Sequence, residues 1–310
     1  MRLTRRQLLI GAGISGLALA SPGLFAELAG GTTAAVPILR TVPSSGESVP
    51  AIGMGTWITF NVGNDPYLIE SRTEVLKTFF DRGGSVVDCS PMYGSSANVL
   101  GKALNALQAH DQVFAATKIW TADESATRTQ AESSRNRWGV ARFDLLQVHN
   151  LLGWRGHLET LKEMKADGEI RYLGITTSHG RRHDEFARIM ETEPLDFVQL
   201  TYNVLDREAE SVLLPLARER GIAVIVNRPF QGGALFRRVQ SEPLPPWAAA
   251  AGIGSWAEFF LKFVIAHPAV TCAIPATSQV AHMQENMAAM YGELPSESQR
   301  QRMAAFVRSL

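Results

Sequence analysis

Four side chains of this 310-residue chain have the types and spacing of a proton donor with its tuning groups: Asp88 in SVVDCSPMYGSS, Tyr93 five residues on, Lys118 in VFAATKIW and His149 in FDLLQVHN. A phenol ionises only near pH 10 (about 10), so it serves as an acid near neutrality when a cation favours the phenolate and an imidazole shares the proton. Lys118 and His149 supply those groups, and Asp88 would hold the lysine. Taken singly, each residue has an ordinary role as rim charge, core histidine, helix cap or half-buried ring. Four of them at the ends of successive predicted strands describe a site.

The elements that must position them follow from the hydrophobic pattern. From residue 51 onward, short β-rich runs alternate with amphipathic helical stretches, the pattern of a parallel sheet wrapped by helices. The predicted strands are 53–57, 85–88, 113–118, 145–149, 172–176, 197–201, 223–227 and 271–274, and helical patterns follow them, as at 68–82, 156–166 and 209–220. Eight such pairs in about 270 residues suit a single closed (β/α)8 TIM barrel better than two domains. Ahead of them, ILRTVPSSGESVPAI reads as an N-terminal β-hairpin with its turn near 44–46. Active sites of such barrels lie at the C-terminal ends of the strands, where Asp88, Lys118 and His149 are expected, with Tyr93 on the loop beyond.

The order Asp, Tyr, Lys, His within DCSPMYGSSANVLGKAL, TKIW and LLQVHN resembles the catalytic tetrad of the aldo-keto reductases, and the resemblance extends from about Ile38 to the C-terminus. It implies a barrel over 36–310 whose hairpin plugs the bottom. The implied reaction is NAD(P)H-dependent reduction of an aldehyde or ketone, with NADP as cofactor and NAD as the alternative. Tyr93 would protonate the nascent alkoxide, His149 would orient the carbonyl, and Lys118 with Asp88 would lower the phenol pKa. The resemblance also assigns cofactor residues. Gly55 and Thr56 follow the first strand. Gln199 keeps the place of a glutamine that holds the carboxamide, Thr176 and Thr177 stand where Ser-Asn is usual, and Asn227 stands where a tyrosine stacks on the nicotinamide. Arg228 would either meet the pyrophosphate or be a solvated loop cation. AIPATSQVAHMQEN resembles the adenosine-binding segment, which assigns Thr277, Ser278, His282, Glu285 and Asn286. Ala276 and His282 occupy positions where cations usually hold the 2′-phosphate, so discrimination for NADP is expected to be weak. Trp57, Trp120 and Asn150 would line an apolar carbonyl pocket. A cofactor-binding sensor with little turnover is the alternative function, while a barrel hydrolase lacks paired carboxylates or a metal-ligand cluster.

Composition sets limits on the rest. Thirty basic residues balance thirty acidic ones, and 45% of the chain is hydrophobic, so no basic field argues for nucleic acid. Residues 1–30 have a basic start, an apolar stretch over 8–20 and small residues suited to cleavage, the layout of a secretory signal. Thr4-Arg5-Arg6-Gln7-Leu8-Leu9 resembles the twin-arginine signature, which implies export of the folded domain to the periplasm by the twin-arginine machinery, with no stable membrane insertion unless the signal stays uncleaved. Cleavage after Ala20 or Ala26 and retention as an anchor are all compatible with the sequence. Gly11, Gly13 and Gly16 also spell a dinucleotide-binding turn, but no strand precedes them and residues 28–45 hold no acid for a ribose. Cys89 and Cys272 fall on non-neighbouring strands, so neither a disulfide nor a metal is expected. The 247–268 stretch repeats its apolar residues at helical spacing, placing Phe259, Phe260, Phe263 and Val264 in the core.

Overall fold

The computed structural model describes residues 36–310, so the expected leader, with its paired arginines and glycine run, lies outside the described residues. Leu39–Thr41 (β1) and Ser48–Pro50 (β2) form an antiparallel hairpin. Eight parallel strands follow: Met54–Gly55 (β3), Val86–Asp88 (β4), Phe114–Ile119 (β5), Phe143–Val148 (β6), Ile170–Thr176 (β7), Phe197–Thr201 (β8), Ala223–Asn227 (β9) and Cys272–Ala273 (β10). They pair in chain order, and the barrel closes where Gly53 N donates to Ala273 O (2.8 Å), Ala273 N to Ala51 O (2.9 Å) and Gly55 N to Pro275 O (3.0 Å). This seam needs glycine. A β-carbon on Gly55 would come 2.9 Å from the Ile274 carbonyl oxygen.

The helices are Pro66–Asp81 (α1), Ser96–Leu107 (α2), Thr127–Trp138 (α3), Trp154–Ala166 (α4), His183–Thr192 (α5), Leu213–Arg220 (α6), Ala234–Arg238 (α7), Pro246–Ala250 (α8), Trp256–Ile265 (α9), Val280–Ala288 (α10) and Glu297–Ser309 (α11). Local chemistry sets several starts. Asp65 accepts from the Tyr67 and Leu68 amides with Pro66 in the first turn, Ser255 accepts from Glu258 N, and Ser296 and Gln299 make a reciprocal capping box. The stretch expected as one helix over 209–220 is divided into a short 3-10 turn, Glu208–Glu210, and α6. Pro215 has no amide hydrogen to give, so it is tolerated only in a helix's first turn, and α6 begins two residues before it. None of the helices among the described residues is long and apolar enough to cross a membrane.

Strand periodicity explains how the interior is built. Side chains two apart on a strand share a face, and the inward positions change character from bottom to top: Phe114, Ala116, Lys118 on β5; Leu145, Gln147 and then His149 on β6; Tyr172, Gly174, Thr176 on β7; Phe197, Gln199, Thr201 on β8; Ala223, Ile225, Asn227 on β9. The lower members form one apolar cluster that includes Val42 and Val49 of the hairpin, so the hairpin does plug the barrel bottom. Glu47 of that hairpin also pairs with Arg171 (2.5 Å) and accepts from the Tyr172 hydroxyl (2.6 Å). The intervening residues, among them Ala115, Leu146, Val148, Val198, Leu200, Val224 and Val226, face the helices in a second, larger cluster with Phe259, Phe260, Phe263 and Val264. Packing at this scale leaves the upper barrel free to be polar.

Candidate active site

The upper interior positions converge on Asp88 and Lys118, which are 1% exposed each. Lys118 Nζ lies 2.5 Å from Asp88 Oδ2 and donates to the Cys89 carbonyl at 2.9 Å. An ammonium has three hydrogens, so one remains. It faces the Tyr93 ring, whose centroid is 5.2 Å away. Desolvation alone would lower the lysine pKa, but Asp88 and Tyr93 more than offset it and the pKa is raised, so the buried cation is permanent near neutrality. The other oxygen of Asp88 is held by amides: Gln199 Nε2 donates to Oδ1 at 2.8 Å and Gln147 Nε2 at 3.4 Å. Strand register makes this possible, because β5 sets Lys118 directly beside Gln147 on β6 and β7 sets Thr176 beside Gln199 on β8.

Tyr93 and His149 meet edge to face, with ring centroids 5.9 Å apart at 84°. His149 Nδ1 is 2.9 Å from Ser90 Oγ, and that oxygen also accepts from Met92 N at 3.3 Å. Burial first, and the Lys118 charge second, lower the imidazole pKa to about 3. The ring is therefore neutral. When the serine hydrogen is given to Nδ1, the histidine proton sits on Nε2, the nitrogen not engaged by Ser90. The Tyr93 phenol departs from expectation. Lys118 lowers its pKa, but burial outweighs the cation and pushes the value up to about 12. The acid is held protonated rather than poised near neutrality.

A cavity of about 860 Å3 opens above this cluster. Tyr93 and His149 face it, together with Trp57, Ile58 and Met92 on one side. Gly55, Thr56, Thr176, Gln199, Asn227, Arg228, Thr277, Ser278, His282, Glu285 and Asn286 also line it, as does Asn150, which sits at φ 53 in a tight turn after β6 and accepts from Ser178 Oγ at 3.2 Å. Two expectations are corrected. Trp120 is 43% exposed but lies outside the cavity lining, with its backbone N and O held by the Gln130 side chain at 2.6 and 3.1 Å. Thr177 also lies outside the lining, because its hydroxyl donates to Arg181 O at 2.5 Å; Thr176 is the threonine that faces the cavity. Lys118 is buried beneath the cavity floor, beside Asp88 and Tyr93.

Asn227 does not imitate a stacking ring. Its Oδ1 accepts from Thr201 Oγ1 at 2.6 Å, while Nδ2 donates to Thr177 O at 2.9 Å and to Gln199 Oε1 at 3.4 Å, so the amide is tied across three strand ends. Sequence reasoning missed Ser90 and Gln147. The parity of the strands carries the signal for both, since each lies two residues from a tetrad member and so faces the same way. It also missed Phe230, Phe236 and Trp256 in the cavity wall, which periodicity cannot tell from core.

Comparison with known proteins fits this geometry. A model of the aldo/keto reductase family matches residues 51–305. The chain belongs to the aldo/keto reductase family. Among its relatives, the methylglyoxal reductase YeaE of Escherichia coli (strain K12) is 28% identical over 269 residues, covering 83% of this chain and 91% of that protein. An NADH-specific methylglyoxal reductase of the same organism is 26% identical over 250 residues, covering 69% and 73%. The fold matches an aldo/keto reductase from Klebsiella pneumoniae, solved with NADP and acetate, at a TM-score of 0.71 and 24% identity over 86% of this chain and 95% of that one. As an aldo/keto reductase, the chain is an NAD(P)H-dependent oxidoreductase.

Proposed function

We propose that this aldo/keto reductase reduces the carbonyl of a small aldehyde or ketone to an alcohol, with Tyr93 as the general acid. The observation that carries the reading is the buried Lys118–Asp88 pair with one ammonium hydrogen left over beneath Tyr93. The residues above it suit a dinucleotide. The cavity has the size of a cofactor site, and two of its lining residues, Arg228 through Nε and Asn286 through Nδ2, hold buried donors with no protein partner. The nicotinamide, when bound, supplies the hydride. Gln199, Asn227 and Thr176 would face its amide, while Thr277, Ser278, His282, Glu285 and Asn286 would hold the adenosine.

The protein's own groups manage the proton. His149 donates from Nε2 to the substrate oxygen and fixes its direction, since the ring is neutral and its Nδ1 is engaged by Ser90. Tyr93 gives its proton to that oxygen as negative charge develops on it. Lys118 then faces a phenolate, and this opposite charge compensates for a phenol that burial has made a weak acid. Trp57, Ile58 and Met92 give the substrate side an apolar wall. The relatives named as methylglyoxal reductases favour small 2-oxoaldehydes as first substrates. Mixing purified protein with NADPH or NADH and methylglyoxal tests the reading. Many cofactor equivalents oxidised per protein, with alcohol formed, is the expected result; a bound cofactor that turns over once or not at all would favour a sensor instead.

The leader supports a second proposal, that the folded barrel is exported by the twin-arginine route and works in the periplasm with cofactor already bound or with electrons from a partner. The paired guanidinium groups of Arg5 and Arg6 have donor geometry that lysine lacks. Arg5→Lys with Arg6→Lys should retain an active protein in the cytoplasm, whereas cytoplasmic wild-type protein with residues 1–26 intact would sink the export reading.

A further inference from the structure

Three of the four clustered side chains are positioned by the barrel's own ladder, and the fourth is not. Asp88 ends β4, Lys118 lies on β5 and His149 follows β6 directly, whereas Tyr93 stands on the loop between β4 and α2. Its backbone bonds stay within that loop: Tyr93 N donates to Ser90 O at 3.0 Å, and the Tyr93 carbonyl accepts from Ser96 N at 3.2 Å. Among residues 91–95, Ser95 is the one whose hydrogen bonds reach a different loop. Its amide and hydroxyl both donate to Asn61 Oδ1, at 2.9 and 3.0 Å, and its hydroxyl oxygen accepts from Gly63 N at 2.8 Å.

Two local preferences give way to this clamp. Ser95 is the N-cap of α2, a place where a serine ordinarily accepts from an amide two or three residues on. Here its side chain makes no cap bond, and the hydroxyl goes to the 61–63 turn instead. Ile58 stands at φ 63, a left-handed conformation that a β-branched residue adopts only under constraint. That reversal lets Ile58 O accept from Asn61 N at 3.1 Å and turns the asparagine back toward Ser95. The turn is pinned on its other side as well, for Phe60 is fully buried in the larger apolar cluster and Arg72 of α1 donates from Nε to Thr59 O at 2.6 Å. The fit beside Tyr93 is close. Gly94 sits at φ 61, and a β-carbon there would come 2.4 Å from Asn61 Oδ1, so the asparagine amide rests directly on the backbone next to the phenol.

We propose that Asn61 is a positioning residue for the general acid: through Ser95 and Gly94 it fixes the loop that carries Tyr93, and with it the place where the phenol hydroxyl meets the substrate oxygen. The inference rests on the reading of Tyr93 as the proton donor, and adds what holds that donor in line. Proton transfer needs heavy atoms about 2.6–3.2 Å apart, and a misplacement of about 1 Å at a reacting group can cost a hundredfold in rate. A donor on a loop needs such a clamp more than one at a strand end does. The clamp faces solvent, so its bonds add little to stability, and breaking them should leave the barrel folded.

Single-turnover reduction of methylglyoxal by full-length protein premixed with NADPH or NADH, followed by loss of the reduced-nicotinamide absorbance, reads the step directly. Asn61→Ala should slow it by roughly ten- to a hundredfold, with the half-saturating methylglyoxal concentration and the cofactor affinity within about twofold of wild type. Asn61→Asp, which keeps the accepting oxygen, should recover most of the rate. Ser95→Ala, which keeps the Ser95 amide bond, should fall between. The same Asn61→Ala change made in Tyr93→Phe should cost no more than about twofold, since no acid is left to place. An equal loss in both backgrounds would make Asn61 merely structural and overturn the proposal. A wild-type rate from Asn61→Ala, or a loss confined to substrate affinity, would overturn it as well. Should Asn61→Ala not fold, Ser95→Ala and its double with Tyr93→Phe decide by the same comparison. Wild-type rates from Tyr93→Phe alone would overturn the reading of Tyr93 and this inference with it, a result distinct from the others.

Discussion

Two walls of the same cavity are built on opposite plans. On the wall from β4, β5 and β6, polar groups serve one another: Asp88 is held by Lys118, Gln147 and Gln199, Lys118 also by Cys89 O, and His149 by Ser90, with Gln147 Oε1 the one fully buried side-chain atom of that set left without a partner. On the wall formed after β9 and β10, Arg228 Nε and Asn286 Nδ2 are buried donors with none. An unpartnered buried donor carries a desolvation cost of about 1–3 kcal/mol, which the acceptor atoms of a ligand would offset. In the proposed reading, the first wall handles the proton and the second holds the molecule that brings the hydride.

The most severe way to break this contrast is at the self-sufficient wall. Lys118→Met leaves the Asp88 carboxylate buried without its cation, which should destabilise the fold by about 3–5 kcal/mol; adding Asp88→Asn should restore most of the stability but not the activity. Denaturant unfolding of the two variants against wild type measures both halves. Equal stability of wild type and Lys118→Met would mean that the pair is not held as described.

A smaller effect sharpens the same wall. Because the His149 pKa falls from about 6.5 in the unfolded chain to about 3 in the fold, the unfolded state binds more protons between those values, and stability must fall as pH drops through that window. Each such group contributes up to about 1.4 kcal/mol per pH unit. His267, lowered to about 4 by burial first, contributes in the upper part of the same window. His149→Gln should flatten the acid slope by about one proton's share while leaving that of His267. An unaltered slope would contradict the neutral, desolvated imidazole. The smallest effect belongs to the ligand-dependent wall, where Ala276→Lys should shift the NADP+/NAD+ ratio by roughly fivefold without altering the fold.

The two walls were also unequally legible in the sequence. All eight barrel strands lie where alternation placed them, within two residues at most ends, because inward and outward positions differ so sharply in polarity. Asp88, Lys118 and His149 could be read because each ends an apolar run with a charged or titratable group. Ser90 and Gln147 share that parity, but a serine and a glutamine have many ordinary uses and no single type to flag them. Trp120 misled because it shares the parity of Lys118 but lies just past the end of β5, where alternation no longer sets direction and the Gln130 side chain holds its backbone. Thr177 failed for a different reason, because it stands one step past the inward Thr176 and so takes the opposite parity. The direction of the Tyr93 shift was not readable at all, since it depends on how burial compares with the Lys118 charge and only packing sets the burial. Residues 1–30 carry their own sequence pattern and lie outside the described residues.

The account's central claim is that a proton from Tyr93 accompanies the hydride. Tyr93→Phe keeps the ring and removes only the hydroxyl, so it tests that claim most directly when dinucleotide binding and multiple-turnover carbonyl reduction are measured on the same preparation. Reduction should fall by at least about a hundredfold, the lower range for a positioned general acid, with cofactor affinity within about twofold of wild type, inside the few tenths of a kcal/mol that a surface change causes. Wild-type rates from the phenylalanine variant would contradict the assignment.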